Sequence, residues 1–289
     1  MPLSFREWLS VASHQLQLAH IENPHREARL LLQLATGRQP AHIVAFDETP
    51  LTEVEMNQAQ ILLERRCRRE PMAHLAGMKG FFGRDFFVSP QTLIPRPETE
   101  RLVELVLQAL EKTPQQKWNL LDLGTGTGCI ALTLALEFSR WNSVVGVDLS
   151  EEALEVAQRN AGHLNVATFK ALKADFVHEQ DSLRETLAAL GQDLPWVIVS
   201  NPPYLPSAAL ENLEPEIRLY EPRLALQSED KGLAHLKSVI ALAARVPCVI
   251  LALESWSSEQ AENIRGLVPA DRGITQSEGP FLVWREQNG

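Results

Sequence analysis

The 289-residue chain is short of the features that mark several large protein classes. It has three cysteines, Cys67, Cys129 and Cys248, far apart in sequence. They make neither a disulfide framework nor a metal-ligand spacing, so no metal site is expected and a reducing compartment, the cytoplasm, is the natural setting. A long apolar run is missing as well. The longest, Val246 to Leu253, falls far short of the roughly 20 residues that span a bilayer. The first residues, Met-Pro-Leu-Ser-Phe-Arg-Glu-Trp, carry charge early and have no apolar signal core, so neither a membrane nor a secretory destination is expected. Positive charge is scarce: 27 Lys and Arg stand against 37 Asp and Glu, a net charge of −10. A direct nucleic-acid partner needs a basic field, and this balance argues against one. The histidines are scattered and suggest neither a ligand cluster nor a nucleophilic triad.

The chain has two rhythms. Residues 1 to 76 read as a small all-α domain. Ser4 and Glu7 form a capping box ahead of Trp8, Leu9, Val11, Ala12 and Leu16, which recur at helical spacing. Asn23-Pro24 supplies an N-cap and a proline at the first helical position, and Gly37 stops that helix. Thr52 and Glu55 cap a further helix that reaches Glu70. Its Arg65, Arg66, Arg68 and Arg69 read as a solvated face or as a partner-docking patch. Residues 77–94, where Gly77, Gly80 and Gly83 punctuate four phenylalanines, read as a β-hairpin linker.

Residues 95–289 form a second domain. Strand-like runs at 118–123, 144–148, 167–171, 195–200 and 247–253 alternate with helical stretches at 128–138, 151–161, 182–190, 231–244 and 258–267. Such alternation predicts a parallel α/β sheet covered by helices on both faces. A closing hairpin, 273–277 and 281–285, predicts an antiparallel last strand.

Three places carry chemistry. Asp122-Leu-Gly124-Thr125-Gly126-Thr127-Gly128 follows the first of these strands and opens a helix, so that a ligand can approach the backbone closely. A dinucleotide fingerprint would want glycine at 129, where Cys129 stands, so a ligand without phosphates fits better. Asp148 ends the second strand, where an acidic side chain can hold a ribose diol or cap the next helix; Ser150 can meet the capping need. Asp175-Phe176, after the third strand, could hold the edge and face of an adenine. Finally, Asn201-Pro202-Pro203-Tyr204 closes a buried strand at the ligand-binding edge of the sheet. Two prolines fix φ and lack N–H groups, and residue 201 is pushed to an extended conformation. Such a turn is either a stiff structural element or a grip for a planar nitrogen group.

Taken together, these residues make the chain resemble a class I S-adenosylmethionine methyltransferase with a Rossmann-like sheet. More narrowly it is similar to the bacterial release factor glutamine methyltransferases. The matching text includes Phe82-Gly83 to Phe86, Leu93 to Glu100, Asp122 to Gly128, Val147 to Ser150, Val199 to Tyr204 and Tyr220 to Leu226. The resemblance implies S-adenosyl-L-methionine as cofactor, held by Asp122, Gly124 to Gly128, Asp148, Asp175, Phe176 and Asn201. It implies peptide chain release factors as protein substrates, methylated on the glutamine amide of a Gly-Gly-Gln motif. Asn201, Pro202, Pro203 and Tyr204 would hold that glutamine, and the helical N-terminal domain would help to dock the release factor. Asn201 Oδ1 and the Pro202 carbonyl would accept the two amide hydrogens while Tyr204 stacks on the amide. Leu93 to Glu100 would close over the active site or simply lead into a helix. The sequence departs from the family pattern at Glu254-Ser255-Trp256 and at Gln227 to Leu233, both expected to sit away from the pocket. Three other readings stay open: a glutamine methyltransferase acting on a ribosomal protein, an adenine amino-methyltransferase, and a cofactor-binding partner of the translation machinery without catalysis.

Overall fold

The computed structural model describes residues 3–113, 116–268 and 273–286. The chain divides into two compact units. One is the chain up to Gly77 together with Glu214–Tyr220; the other is Met78–Leu213 together with the chain from Glu221 onward.

The first unit is helical, with helices Phe5–Leu18, Pro24–Thr36, Pro40–Ala45, Glu53–Cys67 and Met72–Ala76. Both capping boxes form: the Ser4 and Thr52 hydroxyls accept from the Glu7 and Glu55 backbone N–H groups, and each glutamate reaches back to its cap. Asn23 does occupy the N-cap position, but in a left-handed conformation and without a side-chain cap bond. Phe5, Trp8, Leu16, Leu31, Leu32, Leu62 and Leu63 close the core.

The arginine run is not simply a solvated face. Arg66 is 5 % exposed and ion-paired to Glu27 and, at 3.0 Å, to Glu216. Arg69 also binds Glu216, at 2.6 Å, and the Tyr220 hydroxyl donates to the Arg68 carbonyl at 2.7 Å. These contacts bind the short helix Pro215–Tyr220 into the first unit. A chain segment expected within residues 95–289 therefore joins the helical unit. The reason is charge pairing across about 150 residues, which no local pattern announces.

Among the described residues nine strands lie in the second unit: β1 (Met78–Phe81), β2 (Arg84–Phe87), β3 (Trp118–Leu123), β4 (Trp141–Asp148), β5 (Phe169–Lys173), β6 (Trp196–Ser200), β7 (Cys248–Glu254), β8 (Gly273–Glu278) and β9 (Phe281–Glu286). Among the described residues β1 and β2 form a hairpin, and the others form one sheet in the order β5-β4-β3-β6-β7-β9-β8. The pairs from β5 to β7 are parallel, while β9 runs antiparallel to both β7 and β8. The hairpin expected as a linker belongs to this unit, because Phe81 and Phe86 pack into the core on one face of the sheet. Its turn places Phe82 and Gly83 at φ 49° and 72°, the left-handed pair that a tight hairpin needs.

Strands β3 and β6 are buried along their whole length, as central strands of a doubly covered sheet must be. Their carboxyl ends carry the glycine loop and the Asn201 turn. The strand expected at 167–171 lies at 169–173, and the one expected to begin at 144 begins at Trp141.

Replacing Arg66 with alanine leaves Glu27 and Glu216 without their shared cation. The expected loss is about 3 kcal/mol, the scale for breaking a buried pair by removing one partner. Urea unfolding of Arg66→Ala measures it, and a change below about 1 kcal/mol, the range of exposed pairs, would contradict the assignment.

Candidate active site

Two backbone devices shape the glycine loop. Gly124, Gly126 and Gly128 all have positive φ, at 75°, 51° and 78°. The Gly124 and Thr125 N–H groups donate to the Val147 carbonyl at 2.9 Å, which ties the loop to the end of β4. At Gly128 a Cβ would lie 3.1 Å from Leu132 Cδ1 and 3.3 Å from Ala157 Cβ, so close helix packing as well as φ requires glycine.

Asp122 is fully buried beneath this loop. Its Oδ2 accepts from the Thr125 hydroxyl at 2.8 Å and from the Ala131 N–H at 3.3 Å; Oδ1 is buried with no partner among the described residues. Burial pushes the carboxyl up to about 7, against the pull of those two hydrogen bonds. Asp122 therefore shapes the loop from below and does not line the cavity.

Asp148 reaches across from β4. Its Oδ2 accepts from the Gly126 N–H at 2.9 Å and its Oδ1 from the Ser150 N–H at 3.0 Å. Burial raises its pKa, and those N–H groups oppose the rise. The helix Glu151–His163 takes its cap from Ser150, whose hydroxyl accepts from Ala153 N–H at 3.1 Å. Asp148 is thus free of the capping role and faces the cavity.

After β5, Asp175 folds back on its own turn. Oδ1 accepts from the Val177 and His178 N–H groups and Oδ2 pairs with His178 Nδ1 at 2.8 Å. Burial raises its pKa, but the hydrogen bonds from His178 and Val177 outweigh it and leave Asp175 below the usual carboxylate range. Phe176 is buried, meets the His235 ring edge-on at 5.8 Å and lines the cavity with it.

The Asn201 turn closes the other side. The Ser200 hydroxyl donates to the Leu123 carbonyl at 2.5 Å, which joins the ends of β3 and β6. A Cβ on Gly124 would stand 3.9 Å from Pro202 Cα, so the glycine loop and the turn lie side by side. Asn201 Nδ2 donates to Thr99 Oγ1 at 3.1 Å. The Tyr204 hydroxyl donates to Glu254 Oε1 across 3.4 Å, and its carbonyl accepts from Gln260 Nε2 at 3.1 Å.

These elements enclose a cavity of about 330 Å³. Gly124, Thr125, Gly126, Thr127, Asp148, Asp175, Phe176, Asn201 and Pro203 line it; Asp122, Gly128, Pro202 and Tyr204 are not among its lining residues. Leu93, Pro95, Arg96 and Thr99 also line it, so the 93–100 segment both leads into the helix Glu100–Glu111 and walls the site. Glu221 fixes this wall: it accepts from the Ile94 N–H at 3.1 Å and from Arg96 Nη2 at 2.6 Å.

None of the residues at the two departures from the family pattern lines the cavity, but both segments reach Tyr204 through residues that keep the pattern. Glu254 contacts Tyr204, and Gly232 presses on it: with φ at 90°, a Cβ there would be 2.3 Å from the Tyr204 carbonyl oxygen. Neither neighbour is visible locally, because each lies far along the chain from the Asn201 turn. Thr99 lies in the 93–100 segment expected at the site, but its bond to Asn201 escapes sequence reading for the same reason, as do the bond from Arg96 to Glu221 and the place of His235. Among the described residues no cluster of metal-ligating side chains forms, and no helix is long and apolar enough to cross a membrane.

The sheet order with its antiparallel β9 is the class I methyltransferase fold, whose methyl donor is S-adenosylmethionine. The chain is similar to the hMettl16 catalytic domain, with a TM-score of 0.53 at 14 % identity over 72 % of this chain and 77 % of that one. It is also similar to the human methyltransferase 10 domain containing protein, with a TM-score of 0.50 at 16 % identity over 72 % and 90 %. These two likenesses concern the fold alone. Residues 7–77 match the PrmC N-terminal domain family, and residues 114–190 match a methyltransferase domain family. The chain is 42 % identical to the release factor glutamine methyltransferase of Escherichia coli (strain K12), over 82 % of this chain and 80 % of that protein. With its Salmonella typhimurium counterpart it shares 40 % identity over 92 % and 90 %. The chain belongs to the release factor glutamine methyltransferase family.

The cavity suits the cofactor of that class. Its arginine, Arg96, is already paired to Glu221, and among the described residues no other Lys or Arg lines the cavity to call for a phosphate. Instead it offers an acidic strand end, an aromatic ring and glycine backbone, a donor and acceptor set for a nucleoside carrying an amino acid.

The buried Asp122 sets a pH dependence of stability. Its folded-state pKa lies above that of an unfolded carboxyl, so the native state holds the proton more tightly. That stabilisation is complete below about pH 4, the unfolded value, and is lost as the pH rises toward about 7. Asp122→Asn is expected to flatten the loss, seen as a smaller difference in unfolding free energy between mildly acidic and mildly alkaline buffer. Equal differences in the two proteins would rule the effect out.

Proposed function

We propose that this enzyme methylates the side-chain amide nitrogen, N5, of the glutamine in the Gly-Gly-Gln motif of peptide chain release factors. The observation that carries the reading is that Asn201 lines the same cavity as the glycine loop and Asp148. Family membership supports the choice of a release factor, and the net charge of −10 favours a protein over a nucleic acid.

S-adenosylmethionine, when bound, supplies a methyl group on a sulfonium, ready for in-line displacement. Asp148 would hold its ribose, Phe176 and Asp175 its adenine, and the Gly124–Gly128 loop its amino-acid end. The chain's own residues must then make a poor nucleophile reactive, because the lone pair of a carboxamide nitrogen is delocalised into its carbonyl. Asn201 Oδ1 and the Pro202 carbonyl would accept the two N–H hydrogens and turn the nitrogen lone pair toward the methyl group. The same acceptors stabilise the positive charge that grows on nitrogen, which is where fixed dipoles act most strongly. Positioning the two reactants supplies much of the remaining acceleration. Tyr204 would pack against the flat amide. The methylated nitrogen is acidic enough to lose its extra proton to water, so no strong base is needed.

Three measurements test this. Methyl transfer to purified release factor, followed by mass spectrometry, is expected to add one methyl to the Gly-Gly-Gln peptide and none when that glutamine is replaced. Modification of a ribosomal-protein glutamine instead would redirect the reading. Asn201→Ala is expected to lower turnover about 10²-fold or more, the scale of losing one oriented group that stabilises the transition state; near-normal turnover would sink the assignment. Asp148→Ala is expected to weaken S-adenosylhomocysteine binding about tenfold or more in calorimetry, the scale of a lost charge-assisted pair of hydrogen bonds. Unchanged affinity would remove Asp148 from the site.

A further inference from the structure

Behind the Asn201 turn lies a carboxyl that the reaction leaves unused. Glu254, the last residue of β7, is 4 % exposed. Its Oε1 takes a long 3.4 Å hydrogen bond from Tyr204, and its Oε2 is buried with no hydrogen-bond partner among the described residues. A buried carboxyl in that condition is costly, and something in its neighbourhood must use it. Thr99, 2 % exposed, is the intermediary. Thr99 and Asn201 both lie close enough to Glu254 to favour its charged form.

The order of donors follows from the atoms. Asn201 Nδ2 donates to Thr99 Oγ1 at 3.1 Å. A threonine hydroxyl has one proton to give, and a carboxylate can only accept. With Asn201 donating to its oxygen, Thr99 keeps its own proton available for Glu254, whose charged form it favours. The nitrogen and oxygen of the Asn201 amide diverge from one carbon, so with Nδ2 held on Thr99, Oδ1 is the atom of this cavity-lining side chain left for a substrate.

We propose that Thr99 and Glu254 are positioning residues that fix which way the Asn201 amide faces, with the Glu254 carboxylate setting the direction of the hydrogen-bond chain. This rests on the reading of Asn201 as the acceptor of a substrate amide hydrogen. Two states follow. While Glu254 is a carboxylate, the chain runs from Asn201 through Thr99 to Glu254, and an acceptor faces the substrate. When Glu254 is protonated it can donate to Thr99, whose own proton then favours Oδ1 as its partner. The amide turns over, and Nδ2, a donor, faces a substrate N–H.

Burial pushes the Glu254 carboxyl up to about 7; hydrogen bonding from Thr99, Tyr204 and Asn201 holds it down and the charge of Glu98 adds to the rise. The groups that face it are Glu98 from the Pro97–Thr99 turn, Tyr204 beyond β6 and Cys129 at the start of the helix Cys129–Glu137, while its partner across the sheet is the apolar Phe281. Arg96 and Glu98 act in turn on Tyr204. Glu254 ionises as the pH rises, so turnover is expected to increase through this range and to fall on the acid side.

The test has two arms. In the first, kcat and KM for methyl transfer to release factor are measured across the pH range that brackets the titration. Thr99→Val is expected to lower kcat about tenfold or more, as removal of a group that orients a transition-state contact does, with KM changed much less. Thr99→Ser, which keeps the hydroxyl, is expected to retain most of the activity. Glu254→Gln, nearly the same shape, is expected to lose the acid limb of the kcat profile. In the second arm, the side-chain amide resonances of Asn201 are followed by NMR in the ligand-free protein and identified by their loss in Asn201→Ala. They are expected to move with pH in the unaltered protein and to stay put in Glu254→Gln. Near-normal kcat in Thr99→Val, an unchanged acid limb in Glu254→Gln, or Asn201 resonances that follow pH equally in both proteins would overturn the proposal. A protein that transfers no methyl to any release factor would instead sink the functional reading, and the NMR arm, which needs neither substrate nor cofactor, would still decide the orientation of the amide.

Discussion

The Ser200 hydroxyl donates to the Leu123 carbonyl at 2.5 Å, and the active site is built around that bond. It joins the carboxyl ends of two fully buried parallel strands, β3 and β6. One end continues into the glycine loop, the other into the Asn201 turn. A parallel sheet presents all its strand ends on one edge, and ligands settle there because the backbone is released from the ladder at that point. Here the two released segments lie so close that Gly124 faces Pro202. The site therefore inherits its precision from the most rigid part of the molecule.

Around this joint the burial of charge is deliberate in its consequences. Asp122 beneath the loop and Glu254 beneath the turn are both pushed up to about 7 by burial, and each keeps one oxygen without a partner among the described residues. Asp148, half-buried, has both its oxygens hydrogen-bonded and faces the cavity. Asp122 and Asp148 thus hold the glycine loop from two sides, through Thr125 and Gly126. They stand close enough that Asp148 adds to the rise of Asp122.

Much of this was legible in the chain itself. The loop from Asp122 to Gly128, Asp148 and the turn from Asn201 to Tyr204 are short patterns whose meaning comes from residues next to one another. The alternation of strands and helices places them on one edge of a sheet without further information. Of the residues around the site, His235 and Glu254 could not be found that way, nor could the partners of Thr99 and Glu221. Thr99 meets Asn201 across 102 positions and Glu221 meets Arg96 across 125. The same limit made Glu254 and the 227–233 segment look remote from the pocket, and hid the attachment of Pro215–Tyr220 to the helical unit through Arg66 and Arg69.

By itself the sequence determined the fold class, the glycine loop and the stiff Asn201 turn, because periodicity, glycine placement and the proline pair are local properties of the backbone. Only the tertiary structure decided which side chains stand behind that grip, which carboxyls are held near neutrality, and where the helical unit takes its last helix. Those are matters of burial and of contacts between distant segments, and burial exists only once the chain has closed around them.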